Sequence, residues 1–318
     1  MPGHIESLTL YLPEEHKLLN ELAPSLKLTP LDVRMFSRFY GLERFPRAPG
    51  SLNDMFHPLL SKFVECHTSQ LKDIKYVVHT HTLPAVKPFP DCVKAMVSDY
   101  GFSADTEYFS LTMGHCSTSL TAIDFLSRKL KPGEYALLLI GEKAFHPKVE
   151  LINDTTIMGE CACAVLISNP VGAGNVIGRF TTQAGEFNRQ SGHFYDNGPV
   201  FSDHYFPFIL NSLKSAFCYF GITADTLSWL APHNVNLSSW NKIMGELGIS
   251  KNKVMLDNIK LYGHCFGADP FINLATLIKQ GKAQPNEPVL LASVGMGATF
   301  SSLLIQQDAH HQISVIAI

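Results

Sequence analysis

The stretch GHCSTSLTAIDFLSRKL, residues 114–130, sets one cysteine between a strand pattern and a helix pattern. YFSLTM (108–113) reads as the strand that runs into it, and the apolar positions Leu120, Ile123, Phe125, Leu126 and Leu130 read as a helix that runs out. Cys116 then stands at a helix N terminus, where unpaired backbone N–H groups favour a thiolate. Strand, turn and helix together also drive the side chain outward from the sheet. The same pattern equally suits a small buried residue, because free cysteine is among the most buried residue types.

Working outward, the chain has 318 residues and is 46% hydrophobic, enough to bury a large core as one domain or two closely packed halves. Charged residues make up 17% and the formal net charge is −3, which argues against an electrostatic nucleic-acid binder. The basic cluster RKLKP (128–132) is short and reads as a solvated helix end. Early acids (Glu6, Glu14, Glu15) do not make a signal peptide, and apolar runs such as YALLLIG (135–141) are too short to span a bilayer. The expectation is a soluble cytoplasmic protein with neither nucleic acid nor membrane as partner.

Seven cysteines (66, 92, 116, 161, 163, 218 and 265) are odd in number and dispersed, which favours reduced thiols over a disulfide framework. Cys161 and Cys163 lie in the strand-like ECACAVLIS and fall on one face of it, as core filler. His79 and His81 sit two apart in KYVVHTHT with no carboxylate or cysteine spacing to complete a site, so no metal is expected.

Strand patterns cover 5–12, 75–82, 108–113, 135–142, 161–168, 175–185, 226–233, 288–295 and 300–307. Helical patterns cover 53–70, 90–101, 117–131, 205–220, 236–248 and 268–281. Their alternation predicts a layered α/β protein with mixed sheets. An echo between YALLLIGEKAF…MGECACAVLIS and PVLLASVGMGATFSSLLI fits a duplicated architecture.

Three more stretches carry candidate chemistry. SWLAPHNVNLSSW (228–240) ends a strand in Pro232-His233, with Asn234 and Asn236 before a new helix. LYGHCFGADPFINLATLIKQG (261–281) places His264 at a loop-to-helix junction. SVGMGATFSSLL (293–304) offers backbone N–H groups at 295–297 suited to an oxyanion. Each lone histidine has a packed, satisfied side chain as its alternative.

In order and context these segments resemble the thiolase-like condensing enzymes of the β-ketoacyl synthase III type. RFYGLERFPR (38–47) is similar to that family's Thr-Gly-Ile-Arg-Glu-Arg segment, and KPFPDCVKAMVSDYGF (87–102) to the segment before the nucleophile strand. MGECACAVLIS, PHNVNL and VGMGATFSS resemble the Gly-Asp-Gly-Ala-Gly-Ala-Ala-Val-Leu, Pro-His-Gln-Ala-Asn-Leu and Gly-Gly-Gly-Phe-Thr-Trp-Gly stretches. The resemblance implies a duplicated, five-layered αβαβα fold. Residues 1–170 would form the half with the nucleophile and 171–318 the half with the two histidines. It implies that Cys116 takes an acyl group from a thioester and that His233 and His264 serve the following step. Backbone N–H groups of Cys116 and Gly297 would form the oxyanion hole. Asn236 would contact a pantetheine arm, and Phe89 would line the partner subunit's pocket in a homodimer. The implied partners are acyl-CoA or acyl carrier protein, with no cofactor.

The departures are specific. His264 stands where type III enzymes usually carry Asn, giving the Cys-His-His set of the elongating synthases. His115 stands where a small residue is usual, and it would narrow the pocket or modify the thiol. DVRMFSR (32–38) lacks the expected coenzyme-A-stacking Trp, and Ser238 replaces an Arg that helps dock the carrier. Arg34, Arg38, Arg128, Lys129 and Lys242 remain as cations for a phosphate or an acidic carrier. The implied activity is decarboxylative condensation with a malonyl-type thioester in a specialised fatty-acid or polyketide-type pathway. The alternatives are acyl transfer from Cys116 to a hydroxyl or amine, or a non-catalytic subunit that pairs with a related synthase as a heterodimer.

Overall fold

A computed structural model describes residues 3–82, 92–112, 114–152, 155–170, 172–184, 199–309 and 312–318. Its strands are β1 (His4–Tyr11), β2 (His16–Leu18), β3 (Arg44–Pro46), β4 (Ile74–Thr80), β5 (Glu107–Leu111), β6 (Tyr135–Gly141) and β7 (Leu151–Ile152). They continue as β8 (Thr156–Ile157), β9 (Ala162–Ser168), β10 (Val176–Gln183), β11 (Trp229–Pro232), β12 (Pro288–Gly295), β13 (Thr299–Gln306) and β14 (Ser314–Ala317). The helices are α1 (Leu19–Leu22), α2 (Pro30–Arg38), α3 (Leu52–Cys66), α4 (Cys92–Val97) and α5 (Thr118–Lys129). The others are α6 (Pro147–Glu150), α7 (Pro199–Phe220), α8 (Leu237–Leu247), α9 (Asp257–Tyr262) and α10 (Asp269–Lys279).

Among these residues two mixed sheets form, one in the order β14-β1-β9-β6-β4-β5 and the other β10-β13-β12-β11. β4 pairs in parallel with β5 and β6, while β9 runs antiparallel between β1 and β6. In the second sheet β11 and β12 are parallel and β13 antiparallel to β12 and β10. Helices cover both faces of the first sheet, so its central strands lose polar alternation. β9 is buried at every position. Its odd residues Cys163, Val165 and Ile167 face the core between the sheets, and Ala162, Ala164 and Leu166 face the outer helix α3. Cys161 joins Cys163 on the inner side, the single face that the alternation predicts.

α5 and α10 form the central layer. α5 touches β4, β6 and β9 of one sheet and β10, β12 and β13 of the other, and α10 touches β1, β14, β11 and β12. α3 and α4 cover the first sheet, and α7 packs on β10 and β13 of the second and against α8. The succession is the five-layered αβαβα arrangement. The strand that completes the first sheet beside β1 is β14, which comes from the far end of the chain. Leu120, Ile123, Leu126 and Leu130 are buried as the helical period requires, but Phe125 is exposed, with the Lys129 ammonium 5.8 Å from its ring.

Several elements lie outside the predicted set. α2 opens on Thr29 as N-cap, with Pro30 at the first helical position and Asp32 closing a capping box, a start signal in TPLD that the sequence reading passed over. The short pairs β2–β3 and β7–β8, helix α9 and strand β14 lack a long apolar period. The expected helix over 90–101 is confined to α4 within the described residues.

Phe271 of α10 is fully buried in the core between the sheets. Phe271→Ala is expected to lower unfolding free energy by about 3–5 kcal/mol, measured by urea denaturation.

Candidate active site

Between β5 and α5 the chain makes a single 3₁₀ turn, His115–Ser117. His115 has φ +49°, a left-handed value unusual for a side chain larger than Asn, so the turn that presents Cys116 is strained. Three hydroxyls pin it. Ser117 Oγ donates to the Gly114 carbonyl (2.7 Å), Ser119 Oγ to the Gly267 carbonyl (2.9 Å), and Ser293 Oγ of β12 to the Cys116 carbonyl (3.0 Å). A Cβ at Gly295 would lie 1.9 Å from the Gly114 carbonyl oxygen, so only glycine lets the end of β12 lie this close to the turn. Cys116 is thereby buried, 5% exposed, between the two central helices' N termini.

The second element is His264. Its backbone N–H donates to the Ile157 carbonyl (3.1 Å) and its carbonyl accepts from Gly159 N–H (2.9 Å). Its Nε2 stands 3.3 Å from Cys116 Sγ. Its Nδ1 donates to Asp269 at the start of α10 in a short buried ion pair. Burial pulls the His264 pKa down, but Asp269 and the Cys116 sulfur outweigh it and raise the imidazole to about 10. His264 is therefore a cation at neutral pH, with both ring N–H groups engaged.

The third is His233, just past β11. Its backbone N–H donates to the Ala292 carbonyl (2.9 Å), and its own carbonyl accepts from the Trp240 indole N–H (3.0 Å). Its Nε2 shares a 3.0 Å hydrogen bond with the Tyr205 hydroxyl. Burial, then the neighbouring His264 charge, push its pKa down to about 3, so it is neutral. The two imidazoles lie 6.1 Å apart, centroid to centroid.

This geometry can be set beside that of known proteins. Residues 220–307 match the model of the 3-oxoacyl-[acyl-carrier-protein] synthase III C-terminal family. A β-ketoacyl-[acyl-carrier-protein] synthase III of Chelativorans sp. is 24% identical over 188 residues, 53% of this chain and 58% of that protein. The matched stretch thus spans less than two thirds of that relative's length. The synthase III of Xanthomonas oryzae superposes with a TM-score of 0.80 at 18% identity, covering 96% of this chain and 98% of the other. Xanthomonas campestris OleA, solved with lauric acid and lauroyl-CoA, also superposes at 0.80 and 18% identity, covering 96% and 99%. The chain has the thiolase-like fold of these solved synthases.

In this thiolase-like fold Cys116, His233 and His264 all line one cavity of about 80 Å³, with His115 and Tyr205. One segment supplies much of the opposite wall: Val149, Leu151, Ile152, Thr155 and Met158. Arg47 holds that segment, pairing with Glu150 and donating to the Met158 carbonyl (2.9 Å). Gly297 has φ +139° and lies beside the His115 ring, in the loop that touches the nucleophile turn. Asn236 is buried and acts as the N-cap of α8, accepting from Ser239 N–H (2.7 Å) and donating to the Thr155 carbonyl (3.0 Å). Its amide therefore braces the cavity wall at Thr155. Phe89 lies outside the described residues. Among those residues no group of three or more His, Cys, Asp or Glu is placed to hold a metal ion, and no helix is long and apolar enough to cross a membrane.

Two participants escaped the sequence reading. Asp269 had a signal, an acid next to Pro at the head of an otherwise apolar helix (DPFINLATLI). Tyr205 had none, since it is one aromatic among many in the α7 pattern.

The two histidines bias stability in opposite directions. His264, raised from 6.5 to about 10, stabilises the fold fully below pH 6.5 and loses this as pH rises through about 10. His233, lowered to about 3, favours the fold above pH 6.5 and loses this as pH falls toward 3. Urea midpoints across pH are expected to show a flatter alkaline limb for His264→Asn and a flatter acid limb for His233→Asn than for the unmodified protein.

Proposed function

We propose that this chain is a condensing enzyme that loads an acyl group on Cys116 and extends it with a malonyl-type thioester. Cys116 Sγ attacks the carbonyl of an acyl-CoA or acyl-carrier-protein thioester, and the donor thiol leaves. The oxyanion formed in passing is assigned to the N–H groups of Cys116 and Gly297. A malonyl thioester then loses carbon dioxide. The electrons of the broken C–C bond become an enolate, whose oxygen lies against His264 Nε2–H and the His233 side. The enolate carbon attacks the acyl-Cys116 carbonyl, a C–C bond forms, and the sulfur departs as thiolate opposite the His264 cation. The products are a β-ketoacyl thioester and carbon dioxide. The observation that carries this reading is His264 Nε2, 3.3 Å from the sulfur, with the other ring nitrogen held by the Asp269 carboxylate. An Asn amide always donates at this position, and a doubly protonated imidazole does the same. Assembly as a homodimer and a place in specialised biosynthesis belong to this proposal as well.

A second use of the same acyl-enzyme is favoured by one observation. Tyr205 occupies His233 Nε2, and among the described residues His264 is the donor engaged at the sulfur. In that case the Tyr205 hydroxyl would take the proton of an attacking hydroxyl or amine while passing its own to His233 Nε2. The acyl group would leave the sulfur for the new oxygen or nitrogen, and Cys116 would depart as thiolate with no malonyl thioester consumed.

Intact-protein mass spectrometry with a panel of acyl thioesters separates these. An adduct absent from Cys116→Ala and discharged by malonyl thioester with release of carbon dioxide is the expected outcome. An adduct that malonyl thioester leaves in place and a hydroxyl or amine acceptor removes would transfer the assignment to acyl transfer.

A further inference from the structure

Asp269 is fully buried, yet its carboxylate meets three N–H donors. His264 Nδ1–H and the Asn234 N–H (2.5 Å) share Oδ2, and Cys265 N–H donates to Oδ1 (2.7 Å). Asn234 follows His233 and Cys265 follows His264, so one carboxylate ties together the two turns that carry the histidines. We propose that Asp269 is the positioning residue that holds His264 as a doubly protonated cation with Nε2–H aimed at Cys116 Sγ. The inference deepens the condensing-enzyme reading and rests on it for its catalytic meaning.

The chemistry of the donors requires a carboxylate. An amide of the same shape has one acceptor oxygen, and its NH₂ would face a backbone N–H whichever way it turned. Turned toward Nδ1, that NH₂ would also force the ring to accept there, so the imidazole could no longer be a cation. The titratable groups facing His264 are Asp269 from α10, Cys116 from the nucleophile turn, and His233 past β11 with Tyr205 of α7 behind it. His233 and Tyr205 are neutral at physiological pH, because burial lowers the histidine and raises the phenol. Asp269 is thus the negative group available to hold the cation whether or not the sulfur is acylated.

The test is a double-mutant cycle read by the rate at which iodoacetamide alkylates Cys116 at about pH 6, where an ordinary thiol is largely protonated, followed by peptide mass spectrometry. Asp269→Asn is expected to slow alkylation roughly tenfold, because the cation held beside the sulfur is lost. In the His264→Asn background the same substitution is expected to have no further effect. Equal slowing in both backgrounds, or no slowing at all, would overturn the inference. Proton NMR of the unmodified protein supplies an answer that does not require the variants to fold. A strongly downfield Nδ1–H resonance that persists to about pH 10 is expected. A His264 ring that loses its proton near pH 6.5 would contradict it. Neither readout uses an acyl or malonyl thioester, so failure of the condensing reaction would leave this inference standing, and the reverse holds too.

Discussion

A buried carboxylate facing a buried imidazolium is the constraint on which the rest of the site depends. Taking either charge out of water is costly unless its partner and its hydrogen bonds are in place. Here the cost is met by three N–H donors on Asp269 and by the sulfur and carboxylate on His264. Those groups come from α10, from the loop between α9 and α10, from the turn after β11 and from the turn before α5. Only the stacking of two sheets around a shared helical layer brings them together. The five-layered fold is therefore the means by which this polar cluster is assembled.

The same cluster lets a histidine act as a fixed hydrogen-bond donor beside Cys116. A neutral imidazole donates from one nitrogen only, and which one depends on its surroundings. Asp269 removes that ambiguity. The neighbouring His233 is held neutral by burial and by the adjacent positive charge, so two chemically identical side chains take different protonation states 6.1 Å apart. Divergent states of neighbouring titratable groups are the usual mark of a division of labour in catalysis. Burial of both imidazoles strengthens the charge interactions between them.

Much of this was legible in the sequence. Cys116, His233 and His264 stood out as candidates at the ends of apolar segments, and the resemblance to condensing enzymes supplied the roles it implies for them. The continuous apolar strands and the amphipathic helices gave the layers. What was not legible has physical reasons. Asp269 sits beside Pro270 as an ordinary helix-start acid would, and nothing local says that the helix end is buried. Tyr205 reaches His233 across 28 residues of sequence, a relation that only tertiary packing creates. The strand β14 is four residues long and mostly exposed or half-buried, so its pairing with β1 leaves no period to read. Asn236, implied by resemblance to touch substrate, spends both ends of its amide on protein backbone, a capping role that the sequence PHNVNLSSW equally encodes.

In the proposed reaction His264 donates a hydrogen bond to charge forming on the substrate. The most direct measurement is single-turnover release of carbon dioxide from a malonyl thioester by protein already acylated on Cys116, comparing His264→Asn with His264→Ala. The account predicts that the asparagine variant retains decarboxylation and the alanine variant loses it, with the acyl-enzyme formed in both. Equal decarboxylation by the alanine variant would contradict it.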